Sequence, residues 1–310
     1  MANYLITGAA GFIGSRLAQK FIEKGNKVTT IDNLSTGIKS NIPKGVRFIE
    51  GDCASSKVIN KLPDETFDAI FHIAGQSSGE ISFDDPLYDI KTNTESTLLL
   101  LKFALKNGCS RFIYAGTMSV YGIQGDYPVS ENADCKPESF YGVGKLASEH
   151  YLRIYEQYGI KSTSLRLFNV YGPGQNLNNL RQGMVSIFLA QMLFNSHIQI
   201  KGSEDRYRDF IHIDDVVEAF LRCLICEDSN GQIINIGTGV RTSVKELINL
   251  MVSNQKNKIS IEYSGKTSGD INGIYADVNK MNSILDIQNL IPIDKGLSGF
   301  VEWAKNKYIK

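Results

Sequence analysis

The fold is decided near the start of the chain, by Asn3-Tyr-Leu-Ile-Thr7-Gly8-Ala-Ala-Gly11-Phe-Ile-Gly14. Residues 3–7 read as a strand, and residues 12–24 carry helical periodicity. Only the glycine-rich run separates them. Each glycine has its own reason. Gly8 permits a tight turn, Gly11 lets a pyrophosphate approach the backbone, and Gly14 lets the helix pack closely on the strand. The helix start then offers free N–H groups and the positive end of the helix dipole. A glycine pattern alone says little. Between a strand and a helix it marks a dinucleotide site.

Working outward, the next strand, over 27–31, ends at Asp32. A carboxylate about twenty residues past the first glycine accepts from the adenosine ribose hydroxyls and repels a 2′-phosphate. The pattern therefore predicts NAD rather than NADP. Further strands are predicted over 46–50, 69–73, 111–115 and 162–167, with helices over 88–107 and 141–158. Strands alternating with helices predict an α/β fold, a doubly wound parallel sheet covered on both faces. Asp52 follows the third strand. It either accepts from the adenine amino group or caps a turn. After Tyr171-Gly-Pro173 the pattern loosens into mixed helices and short strands, with polar loops at 175–182 and 264–272. A cofactor-binding domain is expected over 1–170, rejoined by the helix and strand of about 210–236. A smaller mixed α/β substrate-binding domain is expected over 171–209 and 237–310.

Composition excludes other classes. The 310 residues carry 33 basic and 33 acidic side chains, a formal net charge of zero. That balance argues against nucleic acid and against a polybasic membrane surface. No run of about 18 apolar residues predicts a membrane span. The N-terminus lacks the pattern of a signal peptide. Five cysteines, an odd and sparse set, fit a reducing cytoplasm. Cys223-x-x-Cys226 falls late in a helical stretch and reads as small buried side chains. His72, His150, His197 and His212 show no metal-ligand spacing, so no metal is expected.

Tyr141-Gly-Val-Gly-Lys145 opens a helix, where residues i and i+4 share a face. A phenol near pKa 10 is a poor base, and a neighbouring ammonium favours the phenolate. The strand before it ends in Gly116-Thr117-Met118-Ser119, at the sheet end where ligands bind. Thr117 is a candidate second hydrogen-bonding group to a reacting oxygen. Ser119 is a candidate sugar contact or a structural residue.

With these residues in place the chain resembles the extended short-chain dehydrogenases/reductases, within them the NAD-dependent sugar-nucleotide epimerase/dehydratase family. The resemblance rests on Thr7–Gly14, Asp32-Asn-Leu-Ser-Thr-Gly37, Gly51-Asp52, His72-Ile-Ala-Gly75 and Asn93. It continues through Ser119-Val-Tyr-Gly122, Tyr141–Lys145 and Leu165-Arg-Leu-Phe-Asn-Val-Tyr-Gly-Pro173. It ends with Arg208-Asp-Phe-Ile-His-Ile-Asp-Asp-Val216 and Asn235-Ile-Gly-Thr-Gly239. It implies a Rossmann-type fold and a catalytic triad of Thr117, Tyr141 and Lys145. It implies cofactor contacts at Gly8, Gly11, Phe12, Ile13, Gly14, Asp32, Asn33, Ser35, Gly37, Asp52, Cys53, Ala74, Gly75, Gln76, Asn93, Tyr141 and Lys145. Substrate contacts are implied at Ser77, Ser78, Thr117, Ser119, Asn169, Arg208 and Asp270.

Within that family, dehydratases and decarboxylases carry a carboxylate after the catalytic Ser/Thr. Met118 and Ser119 stand there instead, and Glu80 is the one acid near the expected pocket. The resemblance therefore implies reversible C4 oxidation of a nucleotide hexose, as in UDP-glucose/UDP-galactose 4-epimerases, with roles in polysaccharide biosynthesis. The sugar is expected to be glucose/galactose or an N-acetyl or uronic derivative. A 4-dehydrogenase or 4-ketoreductase that releases its cofactor would use the same triad, and an NAD(H) sensor would not need it. One departure concerns UDP. The family's usual Arg before the acidic residue is Thr267 here, with Lys266 one place off and Asp270 following. At Ile274 some relatives carry a Tyr that narrows the sugar pocket. Finally, apolar positions at 98–101 and at Leu146, Tyr151, Ile154, Tyr155 and Tyr158 exceed what the sheet needs. They imply a homodimer built on two helices, or else fill the core.

Overall fold

The structure, a computed structural model, describes residues 1–253, 255, 258–265 and 271–309. Lys266, Thr267 and Asp270 lie outside the described residues. Seven parallel strands form the central sheet. Six follow chain order as β1 (Asn3–Thr7), β2 (Lys27–Asp32), β3 (Arg47–Glu50), β4 (Ala69–His72), β5 (Arg111–Thr117) and β6 (Lys161–Leu167). The spatial order is β3, β2, β1, β4, β5, β6, then Gln232–Ile236 at the edge. Leu5 pairs with Thr29 on one side and Ile70 on the other, so the chain leaves β1 in both directions. The C-terminal ends of β1 and β4 therefore diverge and open a crevice.

The strands β4 to β6 are buried on both faces; β4 and β5 are largely apolar, whereas β6 buries Ser162, Thr163, Ser164 and Arg166. Leu17, Phe21, Phe71 and Phe220 fill one face, and Leu5, Phe67, Leu100 and Tyr114 fill the other. Burying each such Phe or Leu contributes roughly 1.5–3 kcal/mol. A separate cluster of Tyr171, Phe188, Leu189, Phe210, Leu247 and Phe300 holds the lobe that follows β6. His72 is a core histidine, between the Thr7 and Ser96 hydroxyls at 2.8 and 3.1 Å. Cys223 is buried on the helix Ile213–Ile225, as read, whereas Cys226 follows its end and is only partly buried.

Three sequence readings change. The helix expected over 88–107 is interrupted. Pro86–Ile90 is one helix, started by Pro86 and capped by Asp85, whose carboxylate accepts from Tyr88 N. A π turn follows over Lys91–Glu95, then a helix over Ser96–Lys106. The π turn is Lys-Thr-Asn-Thr-Glu, with no apolar residue to mark a change of register, so periodicity alone does not reveal it. Second, Leu100 and Leu101 are wholly buried and belong to the core, whereas Ile154 and Tyr158 are exposed. Third, Ile274 is buried with Val120, Tyr121 and Phe168, away from the cleft lining.

Two polar networks tie the layers together. Arg166 on β6 grips Glu149 through Nε and Nη2, the latter at 2.7 Å, with both side chains almost fully buried. Arg111 on β5 donates to Thr163 Oγ1, Cys223 O and Ser229 Oγ at 2.7–2.9 Å, so it stitches the edge of the sheet to segments more than a hundred residues later.

Candidate active site

The crevice is a cleft of about 420 Å³ at the C-terminal ends of β1, β2, β4, β5 and β6. Every candidate from Gly8 to Asn169 lines it except Ser78 and Asn93. Gly8 has φ +80, and a Cβ there would stand 2.9 Å from Ala74 N. A Cβ on Gly14 would stand 2.2 Å from Gly8 O. So the turn closes tightly and the helix Phe12–Glu23 starts directly on the strand end. Its N-cap, Gly11, offers no side-chain cap, and no acidic residue sits in the first turn. The first amides are left to face the cleft, which fits a pyrophosphate.

Asp32 is buried, accepting from Ala10 N at 2.9 Å and Leu34 N at 2.8 Å. Those bonds fix its carboxylate at the cleft wall. Asp52 also lines the cleft, but its Oδ1 accepts from Ala54 N at 2.8 Å, the turn-capping contact. Cys53 is buried beside it, and burial pushes its thiol up to about 12. The glycine cradle and the placed carboxylate fit a dinucleotide.

At the far end, the helix Phe140–Tyr155 presents Tyr141 and Lys145, one turn apart and both buried. Ser139 caps this helix by accepting from Gly142 N at 3.1 Å. Lys145 Nζ donates to Ala115 O at 3.0 Å and lies 4.7 Å from the centre of the Tyr114 ring. Thr117, the last residue of β5, accepts from Ser119 N at 3.2 Å. Burial raises the Tyr141 phenol to about 12, with Thr117 opposing and Asp89 adding to the rise. Burial also lowers the Lys145 amine to about 8, with Asp89 the foremost opposing group.

The Lys145 shift makes a stability prediction. In the unfolded chain the amine keeps its proton up to about 10.5; in the fold it does so only to about 8. Between these values the unfolded chain binds more protons, so stability rises with pH. Relative to Lys145→Met, the natural protein gains up to about 3 kcal/mol as pH rises from 8 to 10.5. Urea melts across that window measure the difference. A gap that stays flat with pH contradicts an amine whose pKa is lowered by burial.

Three candidates stand apart from the lining. Ser78 caps the helix Gly79–Asp84, accepting from Ile81 N, and donates to Arg181 O. Asn93 lies beneath Gly75, its Nδ2 donating to Gln76 O and Asp89 Oδ1 at 2.9 and 3.1 Å. Arg208 is buried, donating to the carbonyls of Tyr207 and Ile271 at 2.7 and 2.8 Å. Burial, then the charge of Arg206, pulls its pKa down. A guanidinium in that state favours a neighbouring anion. Asn169 lines the cleft with a buried Oδ1 that has no hydrogen-bond partner. Glu80 does not line it and instead faces Lys201 at 3.9 Å.

Sequence reasoning missed Asn179 and Gln182, which line the cleft from the loop after Gly174. Gln182 hydrogen-bonds Ser77, and Arg181 pairs with Asp84. The sequence marks 175–182 as a polar loop but not that it lies over the cleft. It also missed Asp209, wholly buried, which accepts from Thr238 N, Gly239 N and Ala276 N at 2.8–3.1 Å.

The comparisons agree with this architecture. The model of the NAD dependent epimerase/dehydratase family matches residues 4–237. A UDP-glucose 4-epimerase of Mycolicibacterium smegmatis is 32% identical over 310 residues, 98% of each chain. A Thermotoga maritima UDP-glucose 4-epimerase, solved with UDP-glucose, is 33% identical with a TM-score of 0.92, covering 98% of this chain and 99% of that one. A UDP-N-acetylglucosamine 4-epimerase from Methanobrevibacter ruminantium, solved with UDP-N-acetylmuramic acid, is 27% identical with a TM-score of 0.92, covering 99% of each. By the length of the family match, the identity of full-length relatives and the shared fold, the chain belongs to the NAD-dependent epimerase/dehydratase family.

Proposed function

We propose that the protein is a 4-epimerase of a UDP-hexose: UDP-glucose/galactose, or an N-acetyl or uronic derivative. The observation that carries this is the buried Tyr141–Lys145 pair beside Thr117, in the same cleft as the glycine cradle. Relatives of both the plain and the N-acetylated type share the fold over nearly the whole chain. Met118 and Ser119 line the cleft beside Thr117, and Glu80 is turned to Lys201. No acid therefore stands at the position an elimination needs, which disfavours a dehydratase.

Bound NAD supplies the hydride acceptor and a positive charge. The chain's own residues do the rest. Tyr141 takes the C4 hydroxyl proton and later returns it. Lys145 stabilises the phenolate, and Thr117 hydrogen-bonds the C4 oxygen. Asn169, just past β6, meets the nucleotide pyrophosphate or the sugar, and Arg208 holds the phosphate oxygens from the second lobe. Residues 1–170 with about 210–236 form the cofactor unit, and 171–209 with 237–310 the substrate unit.

The test is incubation with UDP-glucose and UDP-N-acetylglucosamine separately, with products resolved by chromatography. The C4 epimer should accumulate while free reduced cofactor does not. Stoichiometric release of reduced cofactor would instead identify the 4-dehydrogenase reading.

The protein is further proposed to be a cytoplasmic homodimer. All five cysteines are free, and no described helix is long and apolar enough to cross a membrane. Leu87, Ile90, Phe140 and Val143 are between 46% and 76% exposed on neighbouring helices. Such a patch marks an interface. Light scattering at micromolar concentration should give twice the chain mass, and Leu87→Glu with Val143→Glu should halve it. A monomeric natural protein refutes the dimer.

A further inference from the structure

Behind the reacting pair lies a carboxylate that the proposed mechanism does not use. Asp89, on the helix Pro86–Ile90, is wholly buried. Its Oδ1 accepts from Gln76 Nε2 at 2.9 Å and from Asn93 Nδ2 at 3.1 Å. Its Oδ2 has no hydrogen-bond partner. A Cβ built on Gly144 would lie 3.2 Å from that oxygen. Gly144 is therefore the gap through which Asp89 approaches the turn that carries Tyr141 and Lys145.

The two amides are not free to turn. An ionised carboxylate only accepts, so both Gln76 and Asn93 must present their NH₂ groups to it. Asn93 Nδ2 is also tied to Gln76 O, at 2.9 Å. The Asn93 carbonyl must then face the other way. It does: a Cβ built on Gly75 would meet Asn93 Oδ1 at 2.3 Å and Lys145 Nζ at 3.4 Å. The oxygen and the ammonium thus lie on the same side of Gly75, and that oxygen has no hydrogen-bond partner.

Other groups facing Lys145 are already committed or neutral. Glu149 is held by Arg166 at 2.7 Å. Cys53 is pushed up to about 12 and keeps its proton, and the Tyr141 phenol is likewise raised in the chain alone, before the cofactor's positive charge is present. Tyr114 is raised further still by burial, and His72 is lowered to about 3 and stays uncharged. Burial raises the Asp89 carboxyl as well, but its two amide bonds and Lys145 oppose that rise.

We propose that Asp89 is a positioning residue for the Tyr141–Lys145 pair: it turns the Asn93 carbonyl toward the Lys145 ammonium and supplies the negative charge that keeps that ammonium protonated. The proposal rests on the reading of Tyr141 and Lys145 as reacting groups. Removing the charge acts on both. Lys145 loses its proton at lower pH, and Tyr141 is relieved of a nearby anion, so its pKa falls too.

The test is the pH dependence of kcat/KM in Asp89→Asn, beside Asp89→Leu, which releases the amides as well. Both limbs of the Asp89→Asn profile should move to lower pH, by up to about one unit. NAD affinity should change little. A merely structural role would lower the plateau and leave the limbs in place, and that result overturns the proposal. If Asp89→Asn does not fold, Asn93→Asp carries the test. A second carboxylate facing Lys145 should raise the alkaline limb, and an unmoved limb overturns the proposal. Tyr141→Phe and Lys145→Met run as controls. If they keep full turnover, the reading of the reacting pair fails. If they abolish turnover while Asp89→Asn keeps the natural profile, only the role of Asp89 fails.

Discussion

Tyr141→Phe is expected to lower epimerisation at least about 10³-fold, with NAD still bound. The substitution removes one oxygen and leaves the ring. That ring is buried at the start of the helix Phe140–Tyr155, so packing there survives. What disappears is the only atom of the pair able to exchange a proton with a C4 hydroxyl. Lys145 cannot stand in, because its Nζ is turned to Ala115 O. Thr117 cannot either, since an aliphatic hydroxyl is a far weaker acid than a phenol and does not form the anion that takes the proton. The measurement is turnover on a UDP-hexose together with bound NAD per chain. Activity within tenfold of the natural enzyme sinks the mechanism. Lost NAD with lost activity would point to a cofactor-binding role instead.

The largest stability effect is expected at a residue outside the cleft lining. Glu149→Ala should cost about 3–5 kcal/mol. The reason is what it leaves behind. Arg166 is almost fully buried and spends its Nε and Nη2 on Glu149. It also stacks 4.7 Å from the centre of the Tyr121 ring, which cannot replace a carboxylate. Ser164 Oγ, which donates to Glu149 at 2.8 Å, loses its acceptor as well. The pair itself is a different matter, because desolvating two ions offsets most of their attraction. Glu149→Leu with Arg166→Met should therefore be less destabilised than Glu149→Ala alone. Urea unfolding of the three proteins settles the order. A double variant at least as unstable as the single one contradicts this account.

Much of the sheet was legible from local pattern. The strands at 3–7, 27–31 and 69–73 are short stretches rich in β-branched and aromatic residues, and Gly8 and Gly14 are demanded by the turn and by contact with Gly8 O. The later return of 210–236 to the sheet was also legible, from a helix followed by Ile233–Ile236. The interruption at Lys91–Glu95 was not, because those five residues are all polar and carry no apolar position that would show the shift of register. Leu100 and Leu101 looked like interface residues because sequence cannot say which side of a helix the sheet occupies. Asp89 was invisible for a different reason. Its partners Gln76 and Asn93 and its neighbour Gly144 come from separate segments, and its meaning lies in the direction of two amides. Arg208 was found by its motif, but the carbonyls that hold it were not.

The placement of the strand Gln232–Ile236 sets an order in time. A chain made from its N-terminus exposes β1 to β5 first, and with them the glycine turn, Asp32 and Thr117. The edge of β6 then stays open while some 65 further residues are made, the whole of the second lobe's first segment among them. Until Gln232–Ile236 arrives, β6 has a bare row of N–H and C=O groups, and Arg111 lacks the Cys223 and Ser229 partners that lock the edge. The last parallel strand is thus a closing clasp on a half that is otherwise laid down. A chain halted before residue 232 would carry a nearly complete nucleotide cradle and a sticky edge beside it.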